Sequence, residues 1–68
     1  MTTYTNPPTQ CDICRDEIRG EFIDGATTMG PWANMCPRCF RGYAQGLGPG
    51  VGQRYVKNEA GQYVKQAG

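Results

Sequence analysis

Cys11, Cys14, Cys36 and Cys39 are the residues of this chain whose type and spacing can do chemistry, and they are its only cysteines. They read C-x2-C-x21-C-x2-C. Two intervening residues let the backbone fold back so that both sulfurs of a pair reach one metal ion, and the second pair closes a tetrahedron from a distant part of the chain. The chain has no histidine, so the ligand set is thiolate alone. Zinc accepts four thiolates readily, and a site filled by them keeps no position for water or substrate. The pattern therefore predicts one structural Zn2+ and no catalytic metal.

Other chemistries of four cysteines fit less well. A pair of disulfides suits a short exported chain, but Met1 to Pro8 has neither a basic start nor an apolar run, so no secretory leader is expected. Iron–sulfur clusters also take four cysteines, at different typical spacings. A thioredoxin-like redox pair needs a βαβ setting that the pattern does not offer. An enzyme is not expected: the chain has neither histidine nor serine, the cysteines are committed to metal, and the carboxylates Asp12, Asp16, Glu17, Glu21 and Asp24 sit in charged turns that usually face solvent.

Length bounds the rest. Sixty-eight residues, 38% of them hydrophobic, make one small domain that seldom holds itself together by its core alone. No stretch is apolar for long enough to span a membrane. Charge is polarised. Up to Met35, Arg15 and Arg19 face the five carboxylates named above. Beyond it, Arg38, Arg41, Arg54, Lys57 and Lys65 face Glu59 alone. A basic half suits nucleic acid or an acidic protein.

The elements that must position the cysteines follow in order. Residues 1–10 read as a disordered or extended lead-in. Residues 11–47 form the four-cysteine domain. Within it, Glu21-Phe22-Ile23 reads as a strand, Asp24-Gly25 as a hairpin turn, and Ala26 to Met29 as the returning strand. Gly30-Pro31 turns the chain again, and Trp32 to Met35 runs as a strand into the second pair. Alternation places Trp32 and Asn34 on one face, Ala33 and Met35 on the other, with Trp32 expected in the core beside the metal. Pro37 suits the first turn of a helix. Phe40, Tyr43 and Leu47 then share one face that should pack over the hairpin, while Arg38, Arg41 and Gln45 share the other.

Residues 48–52 are a glycine-rich connector that matches no phosphate-binding motif. Residues 53–68 hold Arg54-Tyr55-Val56-Lys57 and Gln62-Tyr63-Val64-Lys65 around Asn58 to Gly61, a second β-hairpin. Tyr55 and Tyr63 interleaved with Lys57 and Lys65 would stack on bases and meet phosphates; their other role is to pair with each other and cover the helix. The candidate partner-binding set is therefore Arg38, Arg41, Arg54, Tyr55, Lys57, Tyr63 and Lys65. The fold class expected is a small α+β zinc-stabilised domain.

Knuckle, hairpin, second knuckle and short helix, in that order, resemble a treble-clef zinc finger. Trp32-Ala33-Asn34-Met35-Cys36-Pro37-Arg38-Cys39-Phe40 is similar to the GATA-type finger, where a tryptophan-bearing strand enters the second cysteine pair and a helix follows. The resemblance covers residues 11–47. The gap between the pairs is longer than is usual there, and the basic tail of those fingers is replaced by the glycine connector and hairpin. The stretch from Met29 to Tyr55 also looks like small uncharacterised zinc-binding proteins of bacteria and bacteriophages, which implies a cytoplasmic setting in a prokaryote or an infected host cell. The GATA resemblance implies DNA contact through Arg38 and Arg41. Treble clefs also serve as protein adaptors. The expected role is a regulatory protein-interaction module, with DNA or RNA binding as the alternative, and no membrane or small-molecule substrate.

Overall fold

The computed structural model describes residues 2–68. Its elements are β1 (Glu21–Ala26), β2 (Trp32–Met35), α1 (Pro37–Tyr43), β3 (Gly52–Lys57) and β4 (Tyr63–Ala67). The strands form one antiparallel sheet in the order β2-β1-β3-β4, and α1 packs on β1 and β2. The chain is thus a small α+β domain with a four-stranded sheet and one short helix. Because β3 lies beside β1, the C-terminal hairpin and the cysteine-bearing segment share a sheet.

β1 alternates so that Phe22 faces one side and Ile23 the other; both are buried, at 0% and 2% exposure. Phe22 sits opposite Tyr55 and Ile23 opposite Met35. One side of the sheet collects Phe22, Tyr55 and Tyr63, and the other places Ile23 and Met35 in the core with Cys11 and Cys39.

The turn expected at Asp24-Gly25 is not one. β1 continues through both residues to Ala26 and pairs with β2 on one side and β3 on the other. Gly25 serves close approach instead of reversal. It lies opposite Gly52, and a Cβ on Gly25 would come within 3.0 Å of the Gly52 Cα and of the Val51 carbonyl oxygen. Turn propensity is worth little against pairing along two edges. The reversal falls at residues 27–31. There the Thr27 hydroxyl donates to the Pro31 carbonyl at 2.7 Å and Gly30 takes φ +108°, so the expected strand from Ala26 to Met29 is mostly turn.

Two glycine substitutions should act in opposite directions. A Cβ at Gly52 would stand 2.6 Å from the Gly46 carbonyl oxygen, so Gly52→Ala should destabilise by about 1–3 kcal/mol, the usual cost of overpacking. Gly42 lies in α1 with nothing near its Cβ position, so Gly42→Ala should stabilise by about 0.5–1 kcal/mol through helix propensity. Urea unfolding of the metal-loaded variants reads both; equal midpoints would refute the packing argument.

The segment from Thr2 to Asp12 is bonded to the sheet near both its ends. The Lys65 N–H donates to the Thr2 carbonyl at 2.8 Å and the Tyr4 N–H to the Tyr63 carbonyl at 2.9 Å, along β4. Further on, the Asp12 N–H donates to the Asn34 carbonyl at 2.9 Å, along β2. One segment therefore touches both edge strands, which leaves fewer unpaired edges. The β3–β4 turn is the expected one: the Asn58 side-chain oxygen accepts from the Ala60 and Gln62 N–H groups, and Gly61 takes φ +83°.

Candidate metal centre

Two local structures bring the cysteines together. In the first, the Arg15 N–H donates to the Cys11 carbonyl at 3.0 Å and the Cys11 N–H to the Asp16 carbonyl at 2.8 Å. Arg15 completes this tight reversal at φ +68°, a conformation uncommon for a residue with a side chain. In the second, β2 delivers Cys36 to the start of α1. Cys36 is the extended cap residue, Pro37 opens the first turn, and the Phe40 N–H donates to the Cys36 carbonyl at 2.9 Å. Cys39 then faces inward from the first turn. The Asp12 carboxylate ties the two together by accepting from the Asn34 N–H at 2.9 Å.

The four sulfurs lie within 4.8 Å of one another. Cys14 Sγ and Cys36 Sγ are 3.8 Å apart, and all four thiols are free. A disulfide requires about 2.05 Å, whereas a tetrahedral ion with metal–sulfur bonds of about 2.3 Å separates its sulfurs by about 3.8 Å. The arrangement fits a tetrathiolate metal site and not a pair of disulfides. Cys11 and Cys39 are buried, at 0% and 5% exposure, while Cys14 and Cys36 are partly open.

Charge is managed by the backbone. Cys11 Sγ accepts from the Ile13 and Cys36 N–H groups, each at 3.4 Å. Burial opposes ionisation of Cys11, but backbone donors of Cys14, Cys36 and Ile13 outweigh it and lower the thiol to about 6. Cys39 goes the other way: burial, then hydrogen bonds with the neighbouring thiols and the negative charge of Cys11, push it up to about 12. At neutral pH the metal-free cluster is therefore part thiolate, part thiol, and an entering cation displaces at least the Cys39 proton. As pH falls, metal affinity should drop about tenfold per pH unit for each proton displaced, and more steeply below pH 6, where Cys11 also takes a proton. Calorimetry of metal binding in buffers of different ionisation enthalpy counts the protons; none released near pH 7 would contradict this.

The other predicted site residues are not brought together. Arg38 is exposed and pairs with Asp16 at 3.1 Å, from one knuckle to the other. Arg41 is exposed and makes no ion pair among the described residues. Arg54 is half-buried and bonded to Glu21. Lys57 is exposed at the far end of β3, and Lys65 is partly exposed on β4, away from the helix on β1 and β2.

Tyr55 and Tyr63, expected to offer stacking surfaces, are 8% and 7% exposed. Tyr55 stacks on Phe22 at 5.2 Å between ring centroids, Tyr63 meets Phe22 edge-on at 5.1 Å, and the Gly20 N–H donates to the Tyr63 hydroxyl at 3.1 Å. They are core residues with no ring face left for a base.

Trp32 is the reverse case. Expected beside the metal, it is 46% exposed, and Met35 fills that place. Trp32 sits at the turn end of an edge strand, on the face opposite Met35. The helix face also differs: Phe40 packs on the core, but Tyr43 and Leu47 are each 42% exposed. α1 ends at Tyr43, Ala44 turns extended, and the Gln45 N–H donates to the Ala26 carbonyl at 3.1 Å, so Leu47 is not on the helix. Asp12 and Arg15 had no motif to mark them, since a carboxylate and a left-handed arginine show their roles only once the knuckles are folded.

The four-cysteine cluster is thus a possible metal site held between the first knuckle, β2 and α1, and comparison with protein families, curated proteins and solved structures finds no match to this chain that would name it further.

Proposed function

We propose that the chain is a small, non-enzymatic zinc protein whose metal builds a scaffold for binding another protein, with a regulatory role. The observation that carries the reading is the closed ligand set. Four sulfurs at tetrahedral separation, two of them buried, satisfy zinc and leave no coordination position for a substrate. Knuckle, hairpin, second knuckle and helix follow in the order of a treble clef, and that resemblance is part of the proposal. A tetrathiolate site requires reduced cysteines, which a reducing compartment maintains, and a cytoplasmic setting in a prokaryote or an infected host cell is part of the same reading. Among the described residues no helix is long and apolar enough to cross a membrane.

A protein partner is favoured over DNA or RNA by the fate of the predicted aromatics and cations. Tyr55 and Tyr63 are interior, and Arg38 and Arg54 are occupied by carboxylates. Three or four scattered cations neutralise too few phosphates for strong binding at physiological salt. Elemental analysis of protein purified without added metal should find one zinc per chain. Capture from lysate should then retain a protein partner after nuclease treatment and at high salt. A nuclease-sensitive complex, lost on Arg38→Glu with Arg41→Glu, would replace this reading with the nucleic-acid one.

A further inference from the structure

We propose that Cys14 and Cys36 are a modification site: a hydroperoxide oxidises this pair to a disulfide between the two knuckles, and the cluster then gives up its metal. This rests on the zinc reading and adds a reversible control to it.

The four sulfurs are not equivalent. Cys11 and Cys39 belong to the buried core, whereas Cys14 and Cys36 only pack against it and are partly exposed. Cys11 is protected a second time. Its Sγ accepts from the Ile13 and Cys36 N–H groups, and donors that stabilise a thiolate make it a poorer nucleophile. Among the described residues, no backbone N–H reaches the sulfur of Cys14 or Cys36; each has the other as its neighbour, at 3.8 Å. Oxidation of cysteine follows exposure and the presence of a second sulfur close by. Only this pair has both.

An oxidant has a way in. Cys36 lines an open depression with Asp16, Arg19, Pro37 and Arg38. The Arg38–Asp16 ion pair at its wall has side chains 69% and 68% exposed. A pair so open to water is held weakly and does not shut out a molecule as small as hydrogen peroxide.

The chemistry runs in two steps. The Cys36 thiolate attacks one peroxide oxygen, the O–O bond breaks, and hydroxide leaves, so Cys36 becomes a sulfenic acid. The Cys14 thiolate then attacks the Cys36 sulfur, the S–O bond breaks, and a second hydroxide leaves. Each hydroxide takes a proton from solvent. Two thiolates have lost two electrons to the peroxide, which ends as two waters. Closing 3.8 Å to the roughly 2.05 Å of a disulfide needs a sulfur free to swing, which an open one is and a core one is not. Cys11 and Cys39, one from each knuckle, remain as two ligands where zinc takes four. Cellular thiols reverse the step by exchange.

The test treats zinc-loaded chain with hydrogen peroxide and follows metal release with a chromogenic chelator. Samples are quenched early with N-ethylmaleimide and mapped by mass spectrometry. Cleavage after Arg15 and Arg38 by trypsin, and before Asp12 by Asp-N, puts each cysteine on its own peptide. The first disulfide should join Cys14 to Cys36. Each one formed should release one zinc, and dithiothreitol with zinc should restore the loaded spectrum.

A first disulfide within a knuckle, Cys11–Cys14 or Cys36–Cys39, would overturn the pairing and leave the zinc scaffold standing. So would full retention of zinc under peroxide that oxidises the urea-unfolded chain. Elemental analysis precedes the peroxide, so a chain that takes up no zinc is recognised at once and overturns the scaffold reading together with this one.

Discussion

Removing the metal is expected to unfold the chain. α1 has seven residues and no side-chain cap, far below the length at which a helix holds in water by itself. Its start, the first knuckle and the end of β2 meet at the sulfurs, where Cys11 Sγ alone accepts from both Ile13 and Cys36. Without a cation, the sulfurs are held only by backbone donors to Cys11 and by a thiol contact between Cys14 and Cys36. A structural zinc contributes roughly 10–16 kcal/mol of apparent binding energy, comparable to or above the ~5–15 kcal/mol total stability of ordinary domains. Chelation followed by circular dichroism and 15N–1H spectra should show lost helix signal and collapsed amide dispersion, restored on adding zinc. Cys11→Ser should fail to fold even with metal in excess, while Cys14→Ser, at the more open sulfur, should retain weak binding. A chelated protein whose spectrum stays dispersed throughout would show that the sheet stands alone, and the scaffold argument would fall.

The second large effect belongs to the other side of the sheet. Phe22 is fully buried, with Tyr4 edge-on at 5.0 Å, Tyr55 stacked at 5.2 Å and Tyr63 edge-on at 5.1 Å. It joins β1 to β3, β4 and the N-terminal segment. Phe22→Ala should cost about 3–5 kcal/mol, a large share of what holds so small a domain. Phe22→Leu, which refills much of the volume, should cost distinctly less. Urea unfolding of the metal-loaded proteins measures both. Cobalt(II) substitution separates the two halves, because its thiolate charge-transfer band should persist in Phe22→Ala at low urea while the unfolding midpoint drops. A loss under about 1 kcal/mol for Phe22→Ala would contradict the aromatic cluster's role.

What was legible beforehand was local. The metal site rests on spacing within each pair, and a two-residue gap constrains the backbone wherever the pair sits. β2, the proline-started helix and the Asn58–Gln62 turn are likewise short-range features, read from alternation, a missing N–H and an amide side chain that bonds its own turn. Asp24-Gly25 does not turn, because a dipeptide preference yields to strands that pair on either side of it. Gly25 is needed for its missing Cβ opposite Gly52, and that demand arises only once β3 has arrived.

Trp32 and the tyrosines exchanged places for a similar reason. Alternation correctly separated Trp32 from Met35, but which face of a strand is covered depends on chain far away in sequence. α1 and the cysteines cover the Met35 side, while β3, β4 and the Thr2–Tyr4 segment enclose Phe22 and draw Tyr55 and Tyr63 inward. By itself the sequence determined a four-cysteine cluster able to hold a metal, with the strand β2 and the proline-started helix that carry its second pair, because those follow from neighbouring residues. Only the tertiary structure decided the strand order β2-β1-β3-β4, the interior fate of the tyrosines and the exposed end around Trp32, because register and burial are set by pairing between distant segments.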